Sequence, residues 1–191
     1  SLTQITNIIT DKFELNCKIL PMSDNLVSTK IKTSNGKLLD FQEYFVELKS
    51  EPKISEVIYL ESEKADITEE VSNALDQADK IVVGPSNPIL SIGPILAIQN
   101  LKEKLTNSSS TYVVSPFIEN KAIKGPSKKN FEDLGYKSDI TGIKEFYNNI
   151  GNYYIVQPGD TDKAENTIEK NILFKSTEDS TNLARYIVDH E

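Results

Sequence analysis

Residues 80–98 read KIVVGPSNPILSIGPILAI, and this stretch decides the predicted fold. A short apolar run from Ile81 to Gly84 comes first, and an amphipathic pattern extends from Ser91 to Leu105 after a loop rich in proline. This order is typical of a buried parallel strand that leads into a crossover helix. Because ligands bind beyond the carboxyl ends of the strands in an open parallel sheet, the loop that begins at Gly84 lies where a binding site is expected.

The segments on either side predict an alternating α/β chain. Residues 29–33 and 38–41 flank Ser34-Asn35-Gly36, which is the pattern of a β-hairpin. The other predicted strands are 17–20, 44–48, 57–60, 111–115, 153–156 and 172–174, and the other predicted helices are 2–12, 69–77, 140–150, 162–169 and 181–188. We therefore expect one α/β domain over residues 1–191, with a mostly parallel sheet and a β-hairpin insertion.

The composition argues against several functional classes. The 191 residues carry 21 Lys+Arg against 29 Asp+Glu and are 38% hydrophobic, which indicates a globular domain rather than a disordered chain or a coiled coil. The formal net charge of −8 argues against a nucleic-acid partner, because neutralising a phosphate backbone needs a basic face. No apolar stretch approaches the roughly 18 residues that span a bilayer, so no membrane partner is expected. The single cysteine, Cys17, cannot form an intramolecular disulfide, which agrees with a cytoplasmic location.

The tetrapeptide Ser91-Ile92-Gly93-Pro94 predicts a helix start. Serine or glycine suits the N-cap, and proline in the first turn loses no intrahelical hydrogen bond. The free N–H groups and the positive dipole of a helix start favour an anion, so we expect a phosphate on the amides of residues 91–93, with side-chain contacts from Ser86 and Asn87. The same residues also suit an ordinary β-to-α turn with a capping serine, and the sequence leaves both interpretations open.

Asp24 is a second candidate, because it follows the predicted strand 17–20. A carboxylate at a strand end can hold Mg²⁺ or a ribose hydroxyl. The alternative is that Ser23 or Asp24 caps a turn or the next element, and for an isolated Ser-Asp pair this is the more frequent role.

Lysines surround Gly125-Pro126 and oppose the overall sign of the chain. They are Lys121, Lys124, Lys128 and Lys129. We expect Lys124, beside the glycine, to neutralise a substrate phosphate or carboxylate, and the other lysines to form a solvated helix face.

Other residues with reactive side chains suit structural roles. His190 has no partner at metal-ligand spacing and is expected to lie in a frayed tail, and Cys17 is expected to be a packing residue of a strand. Phe41, Tyr44 and Phe45 read as core residues of a strand rather than as a platform for base stacking. Neither a G-x-G-x-x-G fingerprint nor a Walker A loop is present in the sequence.

Several separated motifs resemble one protein family. They are PMSD at 21–24, FQEYFV at 41–46, GPSNPILSIGPIL at 84–96, VSP at 114–116 and KGP at 124–126. In residue type, order and spacing these motifs resemble the 2-phospho-L-lactate transferases, which act late in making a deazaflavin redox coenzyme.

The resemblance implies a Rossmann-like three-layer fold, a homodimer and a Mg²⁺-dependent transfer. A guanosine diphosphate donor carrying lactate or enolpyruvate would give its phospho-acid group to the ribityl hydroxyl of 7,8-didemethyl-8-hydroxy-5-deazariboflavin and release GMP. Asp24 and Lys124 are then the expected catalytic residues, with Asp24 also at the metal. The expected diphosphate-binding residues are Pro85, Ser86, Asn87, Pro88, Ser91, Ile92 and Gly93.

The sequence departs from this family in two places. Family members open with a strand and a Gly-Gly-Thr-Gly-Gly turn, whereas this chain starts at Ser1 within a helical pattern. We therefore expect the first βαβ portion and much of the acceptor site to be missing, and the 191 residues alone to bind nucleotide weakly and to be poorly active. Glu119-Asn120 stands where the family has two glycines.

An alternative is a non-catalytic regulator that binds nucleotide sugars, from the related gluconeogenesis-factor family. The main loop of that family reads Gly-Pro-Gly-Ser-Leu-Tyr-Thr-Ser-Ile. Ser86-Asn87-Pro88 in this chain favours the transferase.

Overall fold

Strands and helices alternate along most of the chain, whose computed structural model describes residues 1–119, 121–122, 125–148 and 150–190. The strands are β1 (Ser28–Thr33), β2 (Leu38–Asp40), β3 (Ile54–Leu60), β4 (Ile81–Val83), β5 (Thr111–Val114), β6 (Phe117–Ile118), β7 (Lys121–Ala122), β8 (Tyr153–Val156) and β9 (Thr167–Glu169). The α-helices are α1 (Leu2–Lys12), α2 (Glu69–Gln77), α3 (Gly93–Leu96), α4 (Gln99–Asn107), α5 (Ser127–Asp133), α6 (Ile140–Tyr147) and α7 (Thr177–Asp189). Two segments, Glu43–Glu47 and Pro88–Ile92, are π-helical, and Ser62–Lys64 forms a 3₁₀ turn.

A parallel sheet in the order β4-β5-β8-β9 forms the centre of the fold. All of β5 is buried, as expected for a strand covered on both faces. This sheet, with helices packed on it, confirms the prediction of an α/β fold with a mostly parallel sheet.

Helices cover both faces of this sheet, because neighbouring residues of a strand point to opposite sides. Val113 packs into a large apolar core with residues of α4, α5 and α6. Tyr112 and Val114 join a smaller core with Leu183 and Ile187 of α7. The central layer therefore lies between two helical layers.

The predicted hairpin is present and belongs to a separate antiparallel sheet in the order β2-β1-β3. Ile31 of β1 pairs with Leu39 of β2, and both side chains are buried. Gly36 in the turn has a φ of 84°, a conformation that glycine adopts without steric cost.

Three predicted strands are wrong. Residues 17–19 form irregular, exposed chain, so burial offers them no reason to become a strand. The segment 44–48 is largely π-helical, because Tyr44 turns inward and its hydroxyl donates to the carbonyl of Ser50. Residues 172–174 are irregular as well, with Ile172 alone buried among them.

Two predicted helices also differ. The region 162–169 contains β9, because Asp162 accepts hydrogen bonds from the Ala164 amide and the Thr167 hydroxyl and forms a local turn instead of a helix. The single helix predicted over 91–105 begins earlier, at Pro88, and is interrupted at Ile98, which is fully buried in an extended conformation.

In the part of the chain that the structure describes, none of the helices has the length and apolar character needed to span a bilayer.

Candidate functional site

Asn87 determines where the helix after β4 begins. Its Oδ1 atom accepts from the amides of Ile89 and Leu90 at 3.0 and 3.1 Å, so Asn87 is the N-cap and Pro88 the first helical residue. Proline suits that position because its nitrogen has no proton to leave unpaired. The helix start predicted at residues 91–94 is therefore wrong.

The amides predicted to bind phosphate are used inside the helix. Ser91 and Ile92 donate to the carbonyl oxygen of Asn87 at 2.9 and 3.2 Å, and Gly93 donates to that of Pro88. Residues 91–93 consequently offer no unpaired N–H group within this described segment. In residues 91–93, the hydroxyl of the exposed Ser91 is the polar group available to bind a ligand.

Close packing explains why residue 93 is a glycine. A Cβ atom on Gly93 would lie 1.9 Å from Oη of Tyr59, and Gly93 is buried. The same hydroxyl donates to the carbonyl oxygen of Ile89 at 2.6 Å. Tyr59 thus fastens the antiparallel sheet to the helix, and the close approach requires a residue without a side chain.

A buried network of hydrogen bonds holds the side-chain amide group of Asn87. Asn87 Nδ2 donates to Oδ1 of Asn130 at 2.8 Å, and Asn130 Nδ2 donates to Oη of Tyr44 at 2.9 Å. Tyr44 donates in turn to the carbonyl of Ser50 at 3.2 Å. Asn130 and Tyr44 are fully buried, and burial raises the pKa of Tyr44, so its hydroxyl keeps the proton that it donates. Asn87 therefore positions the loop, and the contact predicted between its side chain and a phosphate stays a prediction.

A groove of about 260 Å³ opens beside this loop. Its lining consists of Phe41, Phe45, Pro85, Ser86, Asn87, Leu90, Ser91, Gly125, Pro126 and Ser127. Ser86 and Ser91 are exposed, so their hydroxyl groups are available to a ligand in the groove. The structure thus brings together two regions that the sequence analysis selected separately, the loop after β4 and the Gly125-Pro126 turn. The predicted residues Pro88 and Gly93 are buried, and with Ile92 they lie outside the lining.

Phe41 and Phe45 are residues of the groove that sequence reasoning missed. Their rings stack with centroids 5.4 Å apart and an angle of 14° between planes. The motif FQEYFV contained a signal, since a four-residue spacing puts both rings on one side of a helical turn.

Asp24 lies elsewhere and caps the first helix. Its Oδ1 atom accepts from the amide and the hydroxyl of Thr3 at 2.8 and 2.9 Å, and the bond from this amide lowers the pKa of Asp24. Within the described ranges the groove lining does not include Asp24. The alternative that the sequence offered is confirmed for Ser23, whose hydroxyl oxygen caps a local turn by accepting from the amide of Asn25 at 3.0 Å. Asp24 caps the preceding helix rather than a turn or the next element.

No cluster of ligands marks the predicted magnesium site among the described residues. A single carboxylate holds Mg²⁺ only with further oxygens, usually substrate phosphates, beside it. Across residues 1–119, 121–122, 125–148 and 150–190, no cluster of three or more His, Cys, Asp or Glu side chains is suited to a metal. Mg²⁺ therefore stays a prediction.

The lysines near Gly125 have separate roles. Lys129 pairs with Asp133 at 2.6 Å and donates to the carbonyl of Pro52, and Lys128 lies 3.6 Å from Glu132. Both belong to α5, in line with the predicted helix face. Lys124 and the side chain of Lys121 lie outside the described residues.

A second cavity, of about 280 Å³, lies at the carboxyl ends of β5 and β8. Three carboxylates line it, those of Asp139, Asp160 and Asp162. Hydrogen bonds from Thr141 and Gly142 outweigh burial and lower the pKa of Asp139, and bonds from Lys144 and Thr167 do the same for Asp162. Both groups are therefore charged at neutral pH. Lys144 offsets the charge of Asp162 at 2.7 Å, and the charge of Asp139 disfavours a phosphate in this cavity.

Two expectations about reactive residues are wrong. His190 is not in a frayed tail, because its Nδ1 atom lies 2.8 Å from Oη of Tyr112 and its ring contacts Tyr153 and Tyr186. Cys17 is exposed rather than packed.

Comparison with known proteins identifies the same family by two routes, a family model and individual relatives. The family model described as 2-phospho-L-lactate transferase CofD matches residues 1–185. The 2-phospho-L-lactate transferase of Methanococcus vannielii is 34% identical in an alignment of 197 positions that covers 99% of this chain and 62% of that protein. The protein of the same name from Methanocaldococcus jannaschii is 33% identical and is also covered to 62%. The chain thus spans about 62% of the length of these relatives.

A solved structure supports the fold. Protein BH3568 from Bacillus halodurans superposes with a TM-score of 0.71 over 98% of this chain and 67% of that one, at 14% identity. A second crystal structure assigns BH3568 to the UPF0052 family and superposes with a TM-score of 0.56 over 79% of this chain. At this low identity the likeness shows a common fold.

Proposed function

The chain belongs to the CofD family of 2-phospho-L-lactate transferases, and from this membership we propose that it carries the donor site of such an enzyme. The reaction moves a phospholactyl or phosphoenolpyruvyl group from a guanosine diphosphate-linked donor to the ribityl hydroxyl of 7,8-didemethyl-8-hydroxy-5-deazariboflavin and releases GMP. The match over residues 1–185 is the observation that carries this proposal.

The groove beside the loop after β4 is the place we assign to the donor diphosphate. It combines the exposed hydroxyls of Ser86 and Ser91 with the turn at Gly125. The φ of 69° at Gly125 favours glycine, which has no side chain to obstruct a ligand. Phosphoryl transfer depends mainly on positioning the phosphates and compensating their charge. The hydroxyls supply hydrogen bonds, and Lys124, the neighbour of Gly125 in sequence, is our candidate for the compensating cation.

The rigidity of the loop suits this role. Asn87 fixes the backbone of the loop through its cap, and Asn130 and Tyr44 fix Asn87. A ligand that binds a pre-ordered loop loses less conformational entropy than one that must order it.

The alternative is the non-catalytic regulator, and the curated relatives that carry the name 2-phospho-L-lactate transferase favour the enzyme. The two functions differ in ligand. A ligand that binds only the native state raises its stability, so melting in the presence of GDP and of a UDP-sugar separates them. We expect GDP to raise the melting temperature and the UDP-sugar to leave it unchanged; the opposite pattern would favour the regulator.

Transfer itself is tested with the lactate-linked guanosine diphosphate donor and the deazariboflavin acceptor, with and without Mg²⁺, by measuring GMP release. We expect a Ser86→Ala/Ser91→Ala double variant to release GMP more slowly, while Ser109→Ala, which changes an exposed serine away from the groove, matches the unaltered chain. An unaltered chain that neither binds the donor nor releases GMP would contradict the proposal.

A further inference from the structure

Tyr59 of the antiparallel sheet makes a hydrogen bond to the segment that carries Ser91. We propose that Tyr59 is a positioning residue: its hydroxyl holds Pro88–Ile92 in the π-helical register, and this register turns Ser91 into the groove. Ser91 is a hydroxyl that the proposed function assigns to the donor diphosphate, and the role of Tyr59 rests on that function.

The carbonyl of Ile89 lacks a donor from its own helix in the observed register. In an α-helix it would accept from the amide of Gly93, four residues on. That amide donates to the carbonyl of Pro88 instead, which is five residues back. A continued π turn would offer the carbonyl of Ile89 an amide from residue 94, but residue 94 is a proline, which has no N–H group.

Tyr59 supplies the missing donor. Its hydroxyl donates to the carbonyl of Ile89 at 2.6 Å, and Ile89 is only 2% exposed, so this carbonyl would be costly to leave without a partner. Burial raises the pKa of Tyr59, so the hydroxyl keeps the proton that it donates. The hydroxyl lies 1.9 Å from the place of a Cβ atom on Gly93. Tyr59 thus competes with the amide of Gly93 for Ile89 and keeps that amide on Pro88.

The register determines the direction of Ser91. One residue turns an α-helix by about 100°, and a π turn holds about one residue more than an α turn. A change of register would therefore rotate the residues before Gly93 relative to α3 by up to roughly this angle. Because Leu96 packs α3 against the main apolar core, the loop side would move, and Ser91 would leave the groove that it lines.

The acceptor of the Gly93 amide reports the register without any ligand. A long-range HNCO experiment on the isotope-labelled chain identifies the carbonyl to which an amide donates. We expect Pro88 as the acceptor in the unaltered chain and Ile89 in Tyr59→Phe, which keeps the ring and loses the donor. Replacement of Tyr59 by 4-aminophenylalanine, whose amino group still donates, should restore Pro88.

Calorimetric titration with GDP measures the consequence for binding. We expect Tyr59→Phe to weaken GDP binding by about fivefold, the value of one hydrogen bond from Ser91, and to leave the number of sites per chain unchanged. A merely structural role would instead lower the fraction of chains that bind and keep their affinity. Tyr112→Phe is the matched control, because it removes a buried hydroxyl that contacts His190 in the other core, and its affinity should equal that of the unaltered chain.

A double-mutant cycle tests whether Tyr59 acts through Ser91. Tyr59→Phe should weaken GDP binding no further when Ser91→Ala is already present, because both changes remove the same contact. Losses that add in full would show that Tyr59 acts by another route and would overturn the proposal.

Two further results would overturn it. The amide of Gly93 would still donate to Pro88 in Tyr59→Phe, or the acceptor would change to Ile89 while the affinity for GDP stayed the same. Failure of the proposed function looks different, because the unaltered chain would then bind no GDP, whereas the acceptor of the Gly93 amide would still report the register.

Discussion

Asn130 makes two hydrogen bonds in a place from which water is excluded. Its side-chain oxygen accepts from Asn87, its nitrogen donates to Tyr44, and the residue is fully buried. Buried polar groups are costly when left without partners, so this residue links the stability of the protein to the geometry of the loop.

We predict that Asn130→Ala lowers the free energy of unfolding by about 2 kcal/mol, because it leaves Asn87 Nδ2 and Tyr44 Oη without their partner. Urea denaturation measures the change. Asn107→Ala, an exposed residue at the end of α4, is the control and should change stability little. Equal stability of the two variants would show that the network contributes nothing.

We predict that Gly93→Ala destabilises the fold by about 1–3 kcal/mol, since the new methyl group would overlap the Tyr59 ring. Gly84→Ala provides the comparison, because nothing lies within 4 Å of a Cβ placed there. Thermal unfolding of both variants tests the contrast. A Gly93→Ala variant as stable as Gly84→Ala would mean that Tyr59 moves aside without cost.

The sequence pointed to some of these residues, such as Asn87, but it did not reveal their roles. Asn87 stood out through its motif, yet its role depends on Asn130, which is 43 residues away in sequence. Local pattern does not reveal such distant pairs. For the same reason the pairing of His190 with Tyr112 was not foreseen.

N-cap residues determine the residue at which a helix begins. Asp139 caps α6, with its Oδ1 atom accepting from the amides of Thr141 and Gly142 at 2.8 and 3.1 Å. Asn87 does the same for the helix after β4. The predicted start at Ser91 is wrong because Asn87, directly before Pro88, already caps the helix.

We predict that Asp139→Ala lowers the free energy of unfolding by about 1 kcal/mol through loss of the cap, whereas Asp139→Asn, which keeps the accepting oxygen but loses the charge that folding favours, lowers it by less. Chemical denaturation compares the two. A loss of equal size in both variants would mean that the charge, and not the cap, stabilises α6.

Elements with strong local signals were predicted well. The hairpin has turn residues between alternating strands, β4 is a continuous apolar run, and β5 is rich in β-branched and aromatic residues. The π-helical segment at Glu43–Glu47 was predicted as a strand because Tyr44, Phe45 and Val46 are all common in strands. Tertiary contacts of Tyr44 override that preference.

The molecule as a whole depends on carboxylates that are bonded more strongly in the folded chain than in the unfolded one. The pKa values of Asp24, Asp139, Asp162 and Asp179 are all lowered. A lowered pKa means that folding favours the charged form, so these groups stabilise the fold above their unfolded pKa, and the contribution disappears as the pH falls through their folded pKa.

We therefore predict that the free energy of unfolding is steady near neutral pH and decreases as the pH falls below about 4, the range in which unfolded aspartates take up protons. Urea denaturation over a series of pH values measures this decrease. Asp139→Asn should show a smaller decrease than the unaltered chain. Stability that rises with acid would contradict the sign of all four shifts.

The central claim is that the groove between the loop after β4 and the Gly125 turn binds the nucleotide of the donor. An NMR titration of the isotope-labelled chain with GDP tests it most directly, because amide shifts both detect weak binding and locate it. The account predicts that the shifts concentrate at residues 86–91 and 125–127 and at Phe45. Shifts centred on the acidic cavity at Asp139 and Asp160, or no shifts at millimolar GDP, would contradict it.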